Sequence, residues 1–196
     1  MTQCTLGDQH HLTLQIQCRV ISHYIEQKQW RKAKELTKAV STTSRTVLGE
    51  NHPLTLISTA YLAARHREEK KLTKAENLNK QVSETSRVVL GEEHPYRLFF
   101  KDSLASTYRA QEHLQEAEEL NRQVLEISER IYREDHLGRL ARMEALALTY
   151  LKQERWESAK DKLEDVLAVG KEDLGEDHLL TKASRNYLSL VDQNQS

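Results

Sequence analysis

A block that opens on Leu-Gly and carries histidine at its fifth position recurs every 42 residues along this 196-residue chain, with no insertion. Leu6-Gly7, Leu48-Gly49, Leu90-Gly91 and Leu174-Gly175 open four blocks, and Tyr132-Arg133 stands at the remaining start. The histidines are His10, His52, His94, His136 and His178, and Pro53 and Pro95 follow two of them. Self-similarity at a fixed period marks an architecture of stacked units, none of which can bury its apolar face alone.

Each block reads as two helices. In the second block the first helix runs from Leu54 to Arg67, and its Leu56, Leu62, Ala63 and His66 recur as Leu98, Leu104, Ala105 and Tyr108, then as Leu140, Leu146, Ala147 and Tyr150. That spacing places them on one helical face. The second helix runs from Thr73 to Val89 with Leu72, Ala75, Leu78 and Val82, offsets that hold Trp30, Ala33, Leu36 and Val40 in the first block. Ala33, Ala75, Ala117 and Ala159 share one position, where a small side chain lets two helices approach closely. The linking stretches, such as Glu68-Glu69-Lys70-Lys71, are short enough to be tight turns, which makes the paired helices antiparallel. Trp30 and Trp156 sit at the start of the second helix and, like Tyr24, Tyr108 and Tyr150, read as packing residues.

The blocks divide the chain into an N-terminal extension at 1–5, repeats at 6–47, 48–89, 90–131 and 132–173, and a capping helix at 174–196. The expected fold is all-α: nine helices in two layers, the first helices forming the concave one. Composition agrees, with 30% charged residues, two prolines and six glycines. The start at Leu6 without a preceding capping helix suits a truncated product, and fraying is expected from the N-terminus to about residue 25.

Several function classes fall away. The 29 basic and 30 acidic residues are mixed along the chain, so no field gathers nucleic acid or an anionic membrane. No apolar run approaches a membrane span and no signal segment is readable, which points to the cytoplasm. Cys4 and Cys18 read as free thiols. The five periodic histidines sit on separate turns and cannot converge on one metal ion, so capping or inter-repeat packing is their expected role. No phosphate-binding glycine loop, nucleophile elbow or zinc-protease motif occurs. No cofactor, small-molecule substrate or catalytic residue is expected, and the acidic runs read as solvated helix faces with ion pairs four residues apart.

Leu90-Gly91-Glu92-Glu93-His94-Pro95, Leu104-Ala105-Ser106-Thr107-Tyr108 and Glu116-Ala117-Glu118-Glu119-Leu120 resemble the tetratricopeptide repeats (TPRs) of the kinesin light chain type. The resemblance covers residues 6 to 192 and implies a right-handed superhelix of antiparallel helix pairs that binds a protein partner, peptide or helix, in its concave groove. Where the family places asparagines that hold a peptide backbone, this chain has Arg19, Tyr61, Ser103, Ala145 and Tyr187. Similar repeats form the sensor half of nucleotide-driven signalling ATPases, so a truncated regulatory portion of such an enzyme is an alternative, as is a cargo adaptor.

Counting three and four positions from the apolar face predicts the groove lining: Arg19, His23 and Glu26, then Tyr61, Arg65 and Glu68, then Phe100, Ser103 and Thr107, then Arg142, Ala145 and Thr149. Arginine and exposed aromatics are enriched where binding energy concentrates. The arginines favour a partner segment of acidic character.

Overall fold

The computed structural model describes residues 7, 10–27 and 29–195; Cys4, Leu6 and the 1–5 extension lie outside the described residues, as do the side chains of Glu26 and Gln195. Among the described residues there are nine α-helices and no strand: α1 (His11–Glu26), α2 (Trp30–Leu48), α3 (Pro53–Glu68), α4 (Leu72–Leu90), α5 (Pro95–Ala110), α6 (Leu114–Ile131), α7 (Leu137–Lys152), α8 (Trp156–Asp173) and α9 (Leu179–Gln195). First helices start at 11, 53, 95, 137 and 179 and second helices at 30, 72, 114 and 156, so each keeps the 42-residue step. No described helix is long and apolar enough to cross a membrane.

The five periodic histidines set the helix starts. The Nδ1 atoms of His10, His52, His94, His136 and His178 accept from the backbone N–H two residues on, at 3.2, 3.2, 3.1, 3.0 and 3.3 Å. Each ring thereby satisfies one of the amides that a helix start leaves unpaired, the office ordinarily filled by Ser, Thr, Asp or Asn. An accepting Nδ1 carries no proton, so these caps require the neutral ring. Pro53 and Pro95 follow as first helical residues, where the missing N–H costs nothing.

Helix ends are equally local. Gly49 and Gly91 combine φ of 85° and 80° with ψ near 167°. That region is essentially restricted to glycine. At the exit of α6 Arg133 stands in place of glycine; the helix is capped one residue earlier by Tyr132, the equivalent of Leu48 and Leu90, with φ −117°, and its ring stacks on His136 at 4.0 Å. Inside the helix pairs, the turn is closed by Lys70, Glu112 and Glu154 at φ of 60°, 63° and 58°.

Packing divides the chain into two compact units, Met1–Thr107 and Tyr108–Ser196. In the first, α1 packs on α2 and α3, and α3 on α2 and α4. Its core gathers Leu14, Cys18, Ile21, Val40, Leu54, Leu56, Ile57, Ala60, Val82 and Phe100. Helix α3 is buried without a break from Leu54 to Ala60, since neighbours cover it on more than one side. In the second unit α7 packs on α6, α8 and α9, around Leu140, Leu146, Tyr150, Leu163, Val166 and Val191. Trp156 is partly buried against this core, in line with its expected packing role.

Two predictions follow from these local devices. His52→Ala, which removes a cap, should cost about 1 kcal/mol in urea unfolding, whereas His52→Asp should retain most of it. Burial, then the neighbouring His11, holds the His52 ring below the ordinary histidine range. A depressed folded-state pKa gives stability that is present above about pH 6.5 and lost as pH falls through the folded value, so His52→Asp should shallow the acid limb of a stability-versus-pH profile. Glu112→Gly should stabilise by about 0.5–1 kcal/mol in the same assay, because relief of the left-handed conformation exceeds the added unfolded-state freedom.

Candidate functional site

In the first unit the inner faces of α1, α3 and α5 frame a cleft of about 270 Å³. Ser22 and Ile25 line it from α1, Ala60, Tyr61, Ala64 and Arg67 from α3, and Phe99, Asp102, Ser103 and Ser106 from α5. Buried Ala60 and Ala64 leave a shallow floor, and Tyr61 meets Phe99 edge-on at 5.8 Å to form an aromatic wall.

Of the residues expected to line a partner-binding groove, Tyr61 and Ser103 are among those that line this cleft. Arg19 and His23 are exposed and lie outside the cleft. Arg65 turns to Glu69, the residue that caps the end of its helix, 3.5 Å away. Four others are corrected by burial. Phe100 is fully buried in the first unit's core. Thr107 and Thr149 are fully buried and accept hydrogen bonds from Asn79 and Asn121. Arg142 is 8% exposed, donates to the carbonyl of Gly138 and lies over the Tyr132 ring. The cleft is therefore rotated by about one residue, roughly 100° on a helix, from the predicted face. A first helix packs on its own second helix and on the preceding one, so its buried stripe is wider than a single apolar face suggests. The Ser58 hydroxyl, at the position equivalent to Phe100 and Arg142, touches the Ser44 hydroxyl of α2 at 3.1 Å.

Sequence reasoning missed the interior polar clamps. Asn79 Nδ2 donates to the Ser103 carbonyl at 3.1 Å and to Thr107 Oγ1 at 2.9 Å, and Ser103 Oγ donates back to Asn79 Oδ1 at 3.1 Å. Asn121 repeats this in the second unit, reaching the Ala145 carbonyl at 3.2 Å and Thr149 Oγ1 at 2.8 Å. The signal was present as an Asn and a Thr 28 residues apart, occurring twice at the repeat spacing.

The two units differ in charge on their inner faces. Arg67 lines the first unit's cleft half-buried, and burial draws its guanidinium below the usual arginine range despite the adjacent Glu68. Arg109, its equivalent 42 residues on, donates to the Ala145 carbonyl at 3.1 Å and to Thr149 Oγ1 at 3.4 Å. Also in the second unit, burial pushes the Glu144 carboxyl up to about 7, against the opposing effects of a 3.2 Å hydrogen bond from Ser184 and of Arg109. Among the described residues no group of three or more His, Cys, Asp or Glu is placed to hold a metal ion.

Because the folded state holds a proton on Glu144 that the unfolded chain releases at lower pH, the second unit should lose stability as pH rises from the ordinary carboxylate range to about 7. Unfolding followed through Trp156 emission in a Trp30→Phe background should show this slope, and Glu144→Gln should flatten it.

A family model of the tetratricopeptide repeat matches residues 57–130 and 101–172. No curated protein matches the chain. Among solved structures, two crystal structures of the nearly identical TPR-like repeats of a protein assigned as a kinesin light chain in Podosopora anserina, one of them a point variant, superpose with TM-scores of 0.70 and 0.69. They share 30% and 31% identity with this chain, over 96% and 94% of it and 88% and 87% of their own length. The crystal structure of BtubC (BKLC) from P. vanneervenii matches with a TM-score of 0.63 over 94% of this chain and 81% of that one, a likeness of fold alone at 15% identity. With its 42-residue helix pairs, histidine caps and this match in sequence and fold, the chain belongs to the tetratricopeptide repeat proteins of the kinesin light chain type.

Proposed function

We propose that this chain is a protein-interaction scaffold that takes a segment of a partner protein into the first unit's cleft and has no chemistry of its own. The observation that carries this reading is the cleft itself, with a small-residue floor, an aromatic wall of Tyr61 and Phe99, and polar side chains from all three first helices. Such a mixture suits an extended chain or a single helix turn, with apolar contacts for affinity and a few polar groups to set register. In this reading residues 6–47, 48–89, 90–131 and 132–173 are the stacked repeats and 174–196 the closing helix. A cytoplasmic setting suits Cys18, a free thiol that burial pushes up to about 11. Family membership supports the scaffold role, and the cleft supports a peptide as its ligand.

Photo-crosslinking tests the reading. A benzophenone side chain at Phe99 should capture a partner in cell extract, while the same probe at Val88, 81% exposed on α4, should not. Mapping the crosslinked segment then allows direct titration, in which Tyr61→Ala should weaken binding by about tenfold or more, as expected for loss of an aromatic anchor. Crosslinking at Val88 in place of Phe99, or affinity unchanged by Tyr61→Ala, would reject the cleft as the docking place.

A further inference from the structure

Glu50 and Glu92 stand one repeat apart in the loops that lead into α3 and α5, and they meet different partners. Glu92 receives Arg97 from the first turn of α5, through Nε at 3.2 Å and Nη2 at 2.6 Å, and Lys101 stands 4.0 Å away. Arg97 is buried although the carboxylate it meets is 60% exposed. At the equivalent positions α3 carries Thr55 and Thr59, and Glu50, 69% exposed, lies 3.9 Å from Arg45 in the last turn of α2. The shorter side chains leave a pocket of about 60 Å³ whose lining includes Arg45, Glu50, Asn51, Thr55, Thr59 and Gln81. At roughly 15 Å³ for each water-sized group that is room for about four, the number of heavy atoms in a guanidinium. Thr55 is 2% exposed, and its Oγ1 has no hydrogen-bond partner among the described residues. The Thr59 hydroxyl donates to the Thr55 carbonyl at 2.8 Å, which leaves its own lone pairs to accept. A buried hydroxyl without a partner is costly, and around this one the Glu50 carboxylate and the amide oxygens of Asn51 and Gln81 are further acceptors.

We propose that this pocket is a guanidinium site, in which an incoming head group takes the place that Arg97 fills one repeat later and donates to the Glu50 carboxylate and to Thr55 Oγ1. Arg45 at the rim does not bar a cation. Its equivalent, Arg87, lies within electrostatic reach of Glu92, and Arg97 binds there all the same. The pocket shares no lining residue with the cleft of Tyr61 and Phe99, so it stands or falls by itself. The head group comes from a free small molecule or from an arginine side chain of a partner, sources of one chemistry that the experiment separates.

The test is a titration of the full chain followed through its backbone amides by heteronuclear NMR. Free arginine or N-acetylarginine amide should shift the amides of Asn51, Thr55 and Gln81 saturably. N-acetylcitrulline amide, of the same shape without the charge, should leave them in place. Binding of the blocked arginine identifies a site open to a partner's side chain, and binding confined to free arginine identifies a small molecule; either supports the proposal. Glu50→Gln should weaken the arginine complex by about fivefold or more, through loss of the charged acceptor. Thr55→Arg should supply the head group from within, raising the thermal midpoint and abolishing the response. A response to citrulline equal to that to arginine, affinity untouched by Glu50→Gln, or a folded Thr55→Arg that still binds overturns the assignment. Movement of the same amides by inorganic phosphate in preference to arginine also overturns it, as does silence towards both arginine compounds.

Discussion

The close approach of a second helix to its first through one alanine and one valine is the contact on which the rest of the structure depends. Ala33 and Val40, Ala75 and Val82, Ala117 and Val124, and Ala159 and Val166 are each separated by two helical turns, and none is more than 4% exposed. An alanine at the contact removes the side-chain bulk that would hold two helices apart, and the valine fills the next groove. With that distance set, Leu14, Leu56, Leu98 and Leu140 are buried at one equivalent position of four successive first helices. A longer side chain at any of the four alanines would cost packing well beyond the residue itself, because an interior at this density cannot absorb added volume without moving backbone.

Burying whole helices also buries polar groups, and a device that occurs twice at the repeat spacing meets part of that demand. Asn79 and Asn121 each bind a carbonyl and a threonine hydroxyl of the following first helix, so the buried amides are satisfied and the register between helices is fixed. At the equivalent places near the ends of the chain stand Thr37 and Leu163, and Leu163 meets Val191 in an apolar core instead. A polar pair or an apolar pair serves equally well there. A mixed pair would leave one buried group unsatisfied.

The two units follow one plan and diverge in charge where the plan leaves freedom. Helix caps, turns and core positions recur at the repeat spacing because each is required by backbone hydrogen bonding or by packing. Inner-face residues answer to neither constraint, so the first unit presents Arg67 with an aromatic wall while the second presents Glu144, whose carboxyl is raised to about 7.

The period, the two helices of each block and their limits to within a residue or two, and the capping histidines were legible in the sequence because each is set by groups close along the chain. A helix start needs an acceptor two residues before an unpaired amide, and a stop of the Gly49 kind needs a residue free of a Cβ; both demands are met within a few positions. The orientation of each first helix was not legible. One helical wheel cannot show that a first helix packs on two second helices, and the wider buried stripe took Phe100, Thr107, Arg142 and Thr149 inside while bringing Phe99, Ser106 and Arg67 to the cleft. Sequence alone thus determined what each segment becomes, through interactions that span a few residues. Tertiary structure decided which side of it lines the cleft, because that depends on contacts between residues 24 to 42 positions apart, where equivalent arginines such as Arg67 and Arg109 meet different neighbours.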